Sequence, residues 1–315
     1  MIGKKVIIDA DPGVGDAIAI ALALSDPEIE IVGLTATAGV VSGRQASCNM
    51  QTVLSFVDPA LWPRVGFSDA PHSLLPPERG LLLPTGKHGL GDCQPVEAPL
   101  HQPTDSVKVL VELVKQYPGE LTLLSLGPLT NIHLAMERYP EFLSSLKEFV
   151  TLAGAVAEGG DVSAAAEFNV YANPEAARVV FDFPTMPKLL PIDVARKMVM
   201  SFDQYNRLPV SSYTRLGRVL EWLFPFGLRE SRREFGTEGV AVPEIMALAA
   251  VARPGLFEIQ PMSMQVELSG ELTRGATIFD RRYLRQRQSN VDVLVAVDLQ
   301  GVFDFVAQIL ALVQP

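Results

Sequence analysis

The sequence is poor in the residues that build disulfide frameworks and zinc sites. Its 315 residues include two cysteines, Cys48 and Cys93, and four histidines. Two cysteines are too few for a disulfide framework, and neither they nor the scattered histidines have the short spacing of a zinc motif. We therefore expect both cysteines to be free thiols in or near the core.

Long apolar runs and positive charge are also scarce. No stretch approaches the roughly 18 apolar residues of a membrane span, and the start, MIGKKVIIDADPG, lacks the apolar region of a signal peptide. The formal net charge is -10, and no stripe of lysine and arginine is visible. We therefore expect a cytoplasmic protein that binds neither nucleic acid nor a membrane.

The sequence does contain a regular alternation of strand-like and helical segments. KKVIID precedes DPGVGDAIAIALAL, EIEIVGLTATAG precedes SCNMQTVLSFV, and the pattern continues to the final NVDVLVAVDLQGVFDFVAQILALV. It predicts an α/β fold with a mostly parallel central sheet flanked by helices. Neither a linker nor a repeat divides the chain, so we expect one domain over residues 1–315.

Two further segments have distinctive compositions. Residues 68–104 are rich in proline and glycine and predict a long loop, which suggests the rim or lid of a site. Residues 202–240 predict a helical region with aromatic residues and then a charged face. We expect the aromatic side chains of this region to pack against neighbouring helices rather than to stack on a ligand.

The segment IIDADPGVGDA gathers three carboxylates, Asp9, Asp11 and Asp16, at a predicted strand end and helix start. Three acids in a small site repel one another unless a cation is present. In one interpretation, Asp11 and Asp16 share a hard cation, Ca²⁺ or Mg²⁺, because all their ligand atoms are oxygens. In the other, Asp11 caps the helix ahead of Pro12 while Asp9 and Asp16 face water.

Five segments give the chain a resemblance to a known family. They are IIDADPGVGDAIA, SLGPLTNIHLA, AAAEFNVYANPEAARVVF, ARPGLFE and NVDVLVAVDL, and they span residue 5 to about residue 310. In these segments the chain resembles the nucleoside N-ribohydrolases of the inosine/uridine-preferring type. The resemblance implies their single-domain, nucleoside hydrolase-like fold, a tightly bound Ca²⁺, and assembly as a homodimer or homotetramer. It also implies hydrolysis of the N-glycosidic bond of nucleosides.

The resemblance assigns a metal site to specific positions. Asp11 matches a general base that is also a metal ligand and that activates a water molecule held by the metal. Asp16, the backbone carbonyl of Leu126 and Glu244 match the other ligands. Asp9 matches a carboxylate that supports this cluster from behind.

Other positions match residues that contact the substrate. Glu167 and Asn169 match residues that bind the sugar hydroxyls. Asp161 stands near the 5' end of the sugar, where asparagine is usual, and His88 matches a loop at the pocket mouth that could contact the base. The implied substrate is a nucleoside or a related ribosyl or deoxyribosyl compound.

Several positions depart from the family pattern. Gly15 replaces an aspartate that contacts the 2'-hydroxyl, and Val40 replaces an asparagine. Pro243 and Glu244 replace a histidine and an aspartate, and proline cannot act as an acid. These changes suggest altered specificity, and one hypothesis is that Gly15 relaxes the requirement for the 2'-hydroxyl.

Two other functions remain open from the sequence. A weakly catalytic or non-catalytic protein that binds a nucleoside or sugar would keep the fold while losing turnover. A phosphatase of the haloacid-dehalogenase type would use the first aspartate of the D-x-D in DADPG as its nucleophile. That second alternative needs a downstream acidic pair, which the later strand ends do not offer.

Overall fold

The computed structural model describes residues 3–70, 85–95, 103–282 and 288–313. The strands are β1 (Lys4–Ala10), β2 (Ile29–Ala36), β3 (Arg64–Gly66), β4 (Thr122–Ser125), β5 (Glu148–Leu152), β6 (Lys188–Leu190), β7 (Val199–Ser201), β8 (Gly239–Ala241), β9 (Phe257–Met262), β10 (Met264–Val266), β11 (Thr277–Phe279) and β12 (Val291–Val297). The α-helices are α1 (Val14–Ser25), α2 (Gly43–Val57), α3 (Ser106–Gln116), α4 (Thr130–Arg138), α5 (Phe168–Ala172), α6 (Pro174–Asp182), α7 (Ile192–Ala195), α8 (Phe202–Arg207), α9 (Arg215–Phe235), α10 (Pro243–Ala252) and α11 (Leu299–Leu312).

The central sheet confirms the predicted fold class. Its strand order is β3-β2-β1-β4-β5-β6-β12-β9, and neighbouring strands are parallel except for the antiparallel pair β12 and β9. The inner residues of β1, Val6, Ile7 and Ile8, are fully buried. A parallel strand covered on both faces is expected to be apolar throughout, which explains the unbroken apolar run in β1.

Two of the most apolar helices lie side by side on one face of the sheet. Helix α1 packs against α2, α9 and α10. Eight residues of α1, from Ala17 to Leu22 together with Val14 and Ala23, belong to the same core cluster as the buried residues of α10. This packing places the first turns of α1 and α10 near each other.

The site region lies where the direction of the sheet order reverses. Strand β1 pairs with β2 on one side and with β4 on the other. In open α/β sheets, ligands bind outside the carboxyl ends of the strands at such a switch point. The segments that follow β1 and β4, DPG and LGPL, therefore border the expected crevice.

The predictions for the helical region, the long loop and the cysteines have different outcomes. Residues 202–240 form α8, α9 and β8 rather than one continuous helical region, with residues 208–214 between the two helices. Residues 71–84 and 96–102 of the predicted loop, and with them most of the proposed lid, lie outside the described residues. Neither cysteine is in a disulfide, as expected, and Cys48 is buried while Cys93 is half-buried.

In the described ranges, no helix combines the length and the apolar content that crossing a bilayer requires.

Candidate active site

A cavity of about 180 Å³ opens at the switch point of the sheet. This volume holds on the order of ten water molecules, enough for part of a small organic ligand. Its wall includes five acidic side chains, those of Asp11, Asp16, Asp161, Glu167 and Glu244. Arg196 is the one basic side chain among the lining residues that the structure describes. A wall with such an excess of carboxylates favours a cation and ligands that donate hydrogen bonds.

Asp11 lies directly after β1 and is almost completely buried. Its Oδ2 accepts a hydrogen bond of 2.6 Å from the backbone N–H of Val40. A Cβ atom added to Gly39 would overlap this carboxylate, and one added to Gly127 would lie 2.5 Å from Oδ1. The carboxylate therefore occupies a slot between two glycines. Burial, strengthened by the charge of Asp16, raises its pKa well above the usual range.

Asp16 lies in the first turn of α1 and takes the capping role that the sequence suggested for Asp11. Helix α1 has Gly13 as its N-cap, and Asp16 Oδ2 accepts a 3.0 Å hydrogen bond from the Gly13 N–H. The prediction that Asp11 caps the helix was wrong, because the Asp11 carboxylate is bound by Val40 instead. Burial raises the pKa of Asp16 to about 6. The alternative interpretation also required Asp9 and Asp16 to face water, but both are buried.

Glu244 enters the same cavity from the first turn of α10, next to Pro243 at the helix start. Its Oε2 atom is buried and has no hydrogen-bond partner among the described residues, and the same is true of Asp16 Oδ1. Burial, with the nearby charge of Asp16, raises the pKa of Glu244 to about 8. A Cβ atom added to Gly15 would lie within 2.6 Å of both carboxylate oxygens of Glu244. The Glu244 carboxylate thus fills the space that a side chain at position 15 would occupy.

Asp9 lies behind the cavity, as the resemblance implied. Its Oδ1 accepts hydrogen bonds from Thr35 Oγ1 at 2.6 Å and from Asn131 Nδ2 at 2.8 Å. Complete burial raises its pKa to about 7, although both hydrogen bonds oppose that rise. The sequence interpretation missed both partners. Asn131 stands in the quoted LGPLTN motif, and Thr35 is paired with Asp9 by the register of β1 and β2.

Glu167 and Asn169 organise the cavity wall through backbone groups. Glu167 caps α5, where its carboxylate accepts from the N–H groups of Asn169, Val170 and, across the wall, Gly154. Burial raises its pKa to about 8 despite these bonds. Asn169 Nδ2 donates to the carbonyl of Leu126 at 2.7 Å. That bond fixes the carbonyl that the resemblance assigns to the metal.

Of the two other residues predicted to contact the substrate, Asp161 lines the cavity and His88 does not. Asp161 lines the cavity, and its Oδ1 accepts from the N–H of Phe168 at 2.8 Å. Burial raises its pKa, and the positive charge of Arg196 partly opposes this rise. No sequence motif had singled out Arg196. His88 is not among the lining residues of the described segment 85–95, which reaches the cavity through Thr85.

The donor chemistry at this site fits a hard cation. Asp11, Asp16 and Glu244 supply carboxylate oxygens, and Asp16 Oδ1 and Glu244 Oε2 are buried without hydrogen-bond partners among the described residues. Buried, unpaired carboxylates are costly, and a bound cation would offset that cost. Within the described ranges, no three acidic, histidine or cysteine side chains are already gathered as a metal cluster. An ion would therefore have to draw these side chains towards it or combine them with a backbone carbonyl.

Comparisons of the sequence point to one family. The family model for inosine-uridine preferring nucleoside hydrolase matches residues 6–304. The chain is 33% identical to Uridine nucleosidase 1 of Arabidopsis thaliana, with coverage of 96% of this chain and 92% of the relative. It is 32% identical to the non-specific ribonucleoside hydrolase RihC of Salmonella enteritidis, with coverage of 97% of both chains.

Comparisons of the structure point to the same family. A plant nucleoside hydrolase, the PpNRh1 enzyme, superposes with a TM-score of 0.86 at 28% identity and covers 99% of both chains. A purine-preferring ribonucleoside hydrolase from Gardnerella vaginalis gives a TM-score of 0.85 at 27% identity, over 98% of this chain and 99% of the other. The chain therefore belongs to the family of inosine-uridine preferring nucleoside hydrolases.

Proposed function

We propose that this protein hydrolyses the N-glycosidic bond of nucleosides in a Ca²⁺-dependent reaction. Family membership supports the reaction class. The observation that carries the proposal is the position of Asp11, which is held between Gly39 and Gly127 at the switch point and faces an acid-lined cavity. We further propose that Asp11, Asp16, Glu244 and the Leu126 carbonyl hold the ion.

The acidic wall suits the charge that develops during this reaction. As the base leaves, the sugar ring gains positive charge, and fixed carboxylates stabilise it in a site shielded from water. Asp11, Asp16 and Glu167 are each at most 6% exposed, so their interaction with the ring is weakly screened. This electrostatic contribution comes from groups already in place before the substrate binds.

Asp11 is proposed as the general base that takes a proton from the attacking water. Burial raises the pKa of Asp11, and a nearby cation would lower it again, which would keep the carboxylate charged and able to accept a proton. When bound, Ca²⁺ would hold and acidify this water, which makes the proton easier to remove. The Val40 N–H keeps the carboxylate oriented.

The opposite wall is proposed to bind the sugar. Asp161, Glu167 and Asn169 line it, and the Gly154 and Phe168 N–H bonds fix the two carboxylates in place. The relatives include enzymes named for uridine, for purine nucleosides and for non-specific ribonucleoside hydrolysis. We therefore propose a nucleoside substrate without assigning its base.

A binding protein with little turnover is the second candidate. Pro243 occupies the position where the resemblance expects a histidine acid. No histidine lines the cavity in the part of the chain that the structure describes. Departure of the base without a proton donor is slower, so this feature favours binding over catalysis.

Product analysis of purified protein separates the two functions. Uridine, cytidine, inosine and adenosine are incubated with the protein, and free base and reducing sugar are measured. We expect equal amounts of both products, and we expect Asp11→Asn to lower kcat by about 10²- to 10⁴-fold, the usual contribution of a general base. Asp304→Asn, an exposed site on α11, is the matched control. Nucleoside binding without either product would support the second candidate, and full activity in Asp11→Asn would refute the role of Asp11.

A further inference from the structure

Glu244 and a side chain at position 15 would compete for the same space in the cavity wall. Gly15 is the second residue of α1, and Glu244 is the second residue of α10. The carboxylate of Glu244 lies where the side chain of residue 15 would begin, since an added Cβ would approach both of its oxygens within 2.6 Å. Position 15 can therefore carry no side chain while Glu244 keeps this conformation.

The Glu244 carboxylate has a free acceptor atom at this place. Its Oε2 is buried and unpaired among the described residues, although both Gly15 and Glu244 line the cavity. A buried acceptor without a partner is uncommon and usually awaits a ligand, a water molecule or an ion. A carboxylate has two oxygens and can accept several hydrogen bonds, so binding an ion through one oxygen leaves the other for a ligand hydroxyl.

We propose that Gly15 and Glu244 form an exchange pair, in which Glu244 supplies from α10 the sugar-hydroxyl acceptor that position 15 cannot supply from α1. This inference rests on the proposed function for its ligand, a ribosyl compound. It opposes the hypothesis that Gly15 relaxes sugar recognition, because the space above Gly15 already holds a carboxylate. Glycine at position 15 is then a requirement of the Glu244 conformation.

The pair allows a test in which the carboxylate is displaced without being deleted. Gly15→Ala places a methyl group against the end of a flexible side chain, so Glu244 must turn away while the backbone stays in place. Glu244→Ala removes the carboxylate altogether. Gly255→Ala is the matched control, because an added Cβ there meets no atom of the described residues within 4 Å.

The readout is the preference for a hydroxyl and not the absolute rate. Calorimetry measures binding of 1,4-anhydroribitol and of its 2-deoxy and 3-deoxy analogues, which have no glycosidic bond. Hydrolysis of uridine, 2'-deoxyuridine and 3'-deoxyuridine is measured in parallel. Loss of a hydroxyl acceptor changes the ratio within a series, and elemental analysis of each variant shows whether the ion was lost together with the acceptor.

We expect the wild type to prefer the ribo compound over its 2-deoxy analogue by about tenfold or more, as a charged hydrogen bond predicts. Gly15→Ala and Glu244→Ala should each reduce that preference to within about twofold, and the double variant should resemble Glu244→Ala alone. Gly255→Ala should keep the wild-type preference. In Gly15→Asp combined with Glu244→Ala, the new carboxylate should restore part of the preference.

Two results would overturn the exchange pair. One is a wild type that binds the ribo and 2-deoxy compounds equally, and the other is a preference for the ribo compound that survives in either Gly15→Ala or Glu244→Ala. A wild type that prefers the ribo ligand but hydrolyses no nucleoside would refute the proposed function while leaving the exchange pair supported. The two proposals therefore fail in distinguishable ways.

Discussion

Individual glycines shape the site as much as the acids do. Gly15, Gly39 and Gly127 each stand where a Cβ would come within 2.6 Å of a carboxylate oxygen. A carboxylate that fills the place of a missing side chain is confined on that side by backbone, which limits its rotamers. The acids of the cavity are therefore positioned by the absence of neighbouring side chains.

Gly39→Ala tests this positioning at Asp11. The new methyl group would displace the Asp11 carboxylate from the Val40 N–H while leaving the acid itself present. A misplacement of about 1 Å in a positioned site can cost about 10²-fold in rate, and we expect a fall in kcat of that order. Steady-state kinetics on the best nucleoside of the panel measures it, with the melting temperature as a check on folding.

Gly255→Ala again serves as the control, because the added methyl group there contacts none of the residues that the structure describes. If Gly39→Ala retained wild-type kcat, the slot between the two glycines would have no part in positioning Asp11.

At the level of elements, three separate pieces of the fold, β1, β2 and α4, meet behind the cavity. The ends of β1 and β2 pair Asp9 with Thr35, and the start of α4 adds Asn131. Asp9 is completely buried, and its pKa of about 7 means that it binds a proton more tightly in the folded chain than in the unfolded one. Such an acid stabilises the fold most below its unfolded pKa of about 4, and this contribution is lost as the pH rises through about 7.

Thr35→Val should therefore have a pH-dependent cost. The substitution keeps the shape but removes a hydroxyl donor that favours the charged form of Asp9. We expect a loss of unfolding free energy of about 1–3 kcal/mol at pH 8, where the folded Asp9 is mostly charged, and a smaller loss at pH 5. Urea unfolding at the two pH values measures the difference.

Thr151→Val is the matched control, since the Thr151 hydroxyl is buried in β5 and has no hydrogen-bond partner among the described residues. Equal costs of Thr35→Val at pH 5 and pH 8 would contradict a titrating Asp9 at this position.

Across the whole molecule, the order of the strands creates the site. The reversal of sheet order between β2 and β4 on either side of β1 brings Asp11 and the Leu126 carbonyl to one crevice. Helices α1 and α10, packed together on one face, add Asp16 and Glu244 from their first turns. Four residues from three separate stretches of chain thus converge without any local metal-binding motif.

The local parts of this arrangement were predictable. The apolar alternation indicated the parallel sheet, and DADPG indicated a strand end followed by a helix start, because both signals lie within a few residues. The capping role of Asp11 was predicted wrongly, since the competing Val40 N–H comes from a different strand end. A tertiary contact overrode the local preference.

The relation between Gly15 and Glu244 could not be read from the sequence. Each position departs from the family pattern, and in sequence the two departures look like two separate losses. Only the packing of α1 against α10 shows that one side chain fills the space vacated by the other. Contacts between residues so far apart in the chain depend on the complete fold.

The most direct test of the central claim is the calcium dependence of nucleoside hydrolysis. Protein stripped of metal by a chelator, with its metal content checked by elemental analysis, is assayed with uridine and inosine before and after Ca²⁺ is added. We expect the stripped protein to lose at least about 10²-fold in kcat/KM, and Ca²⁺ to restore it saturably in the wild type but not in Asp11→Asn. Undiminished hydrolysis by the stripped protein, or restored hydrolysis in Asp11→Asn, would contradict a calcium-dependent hydrolase built on this carboxylate cluster.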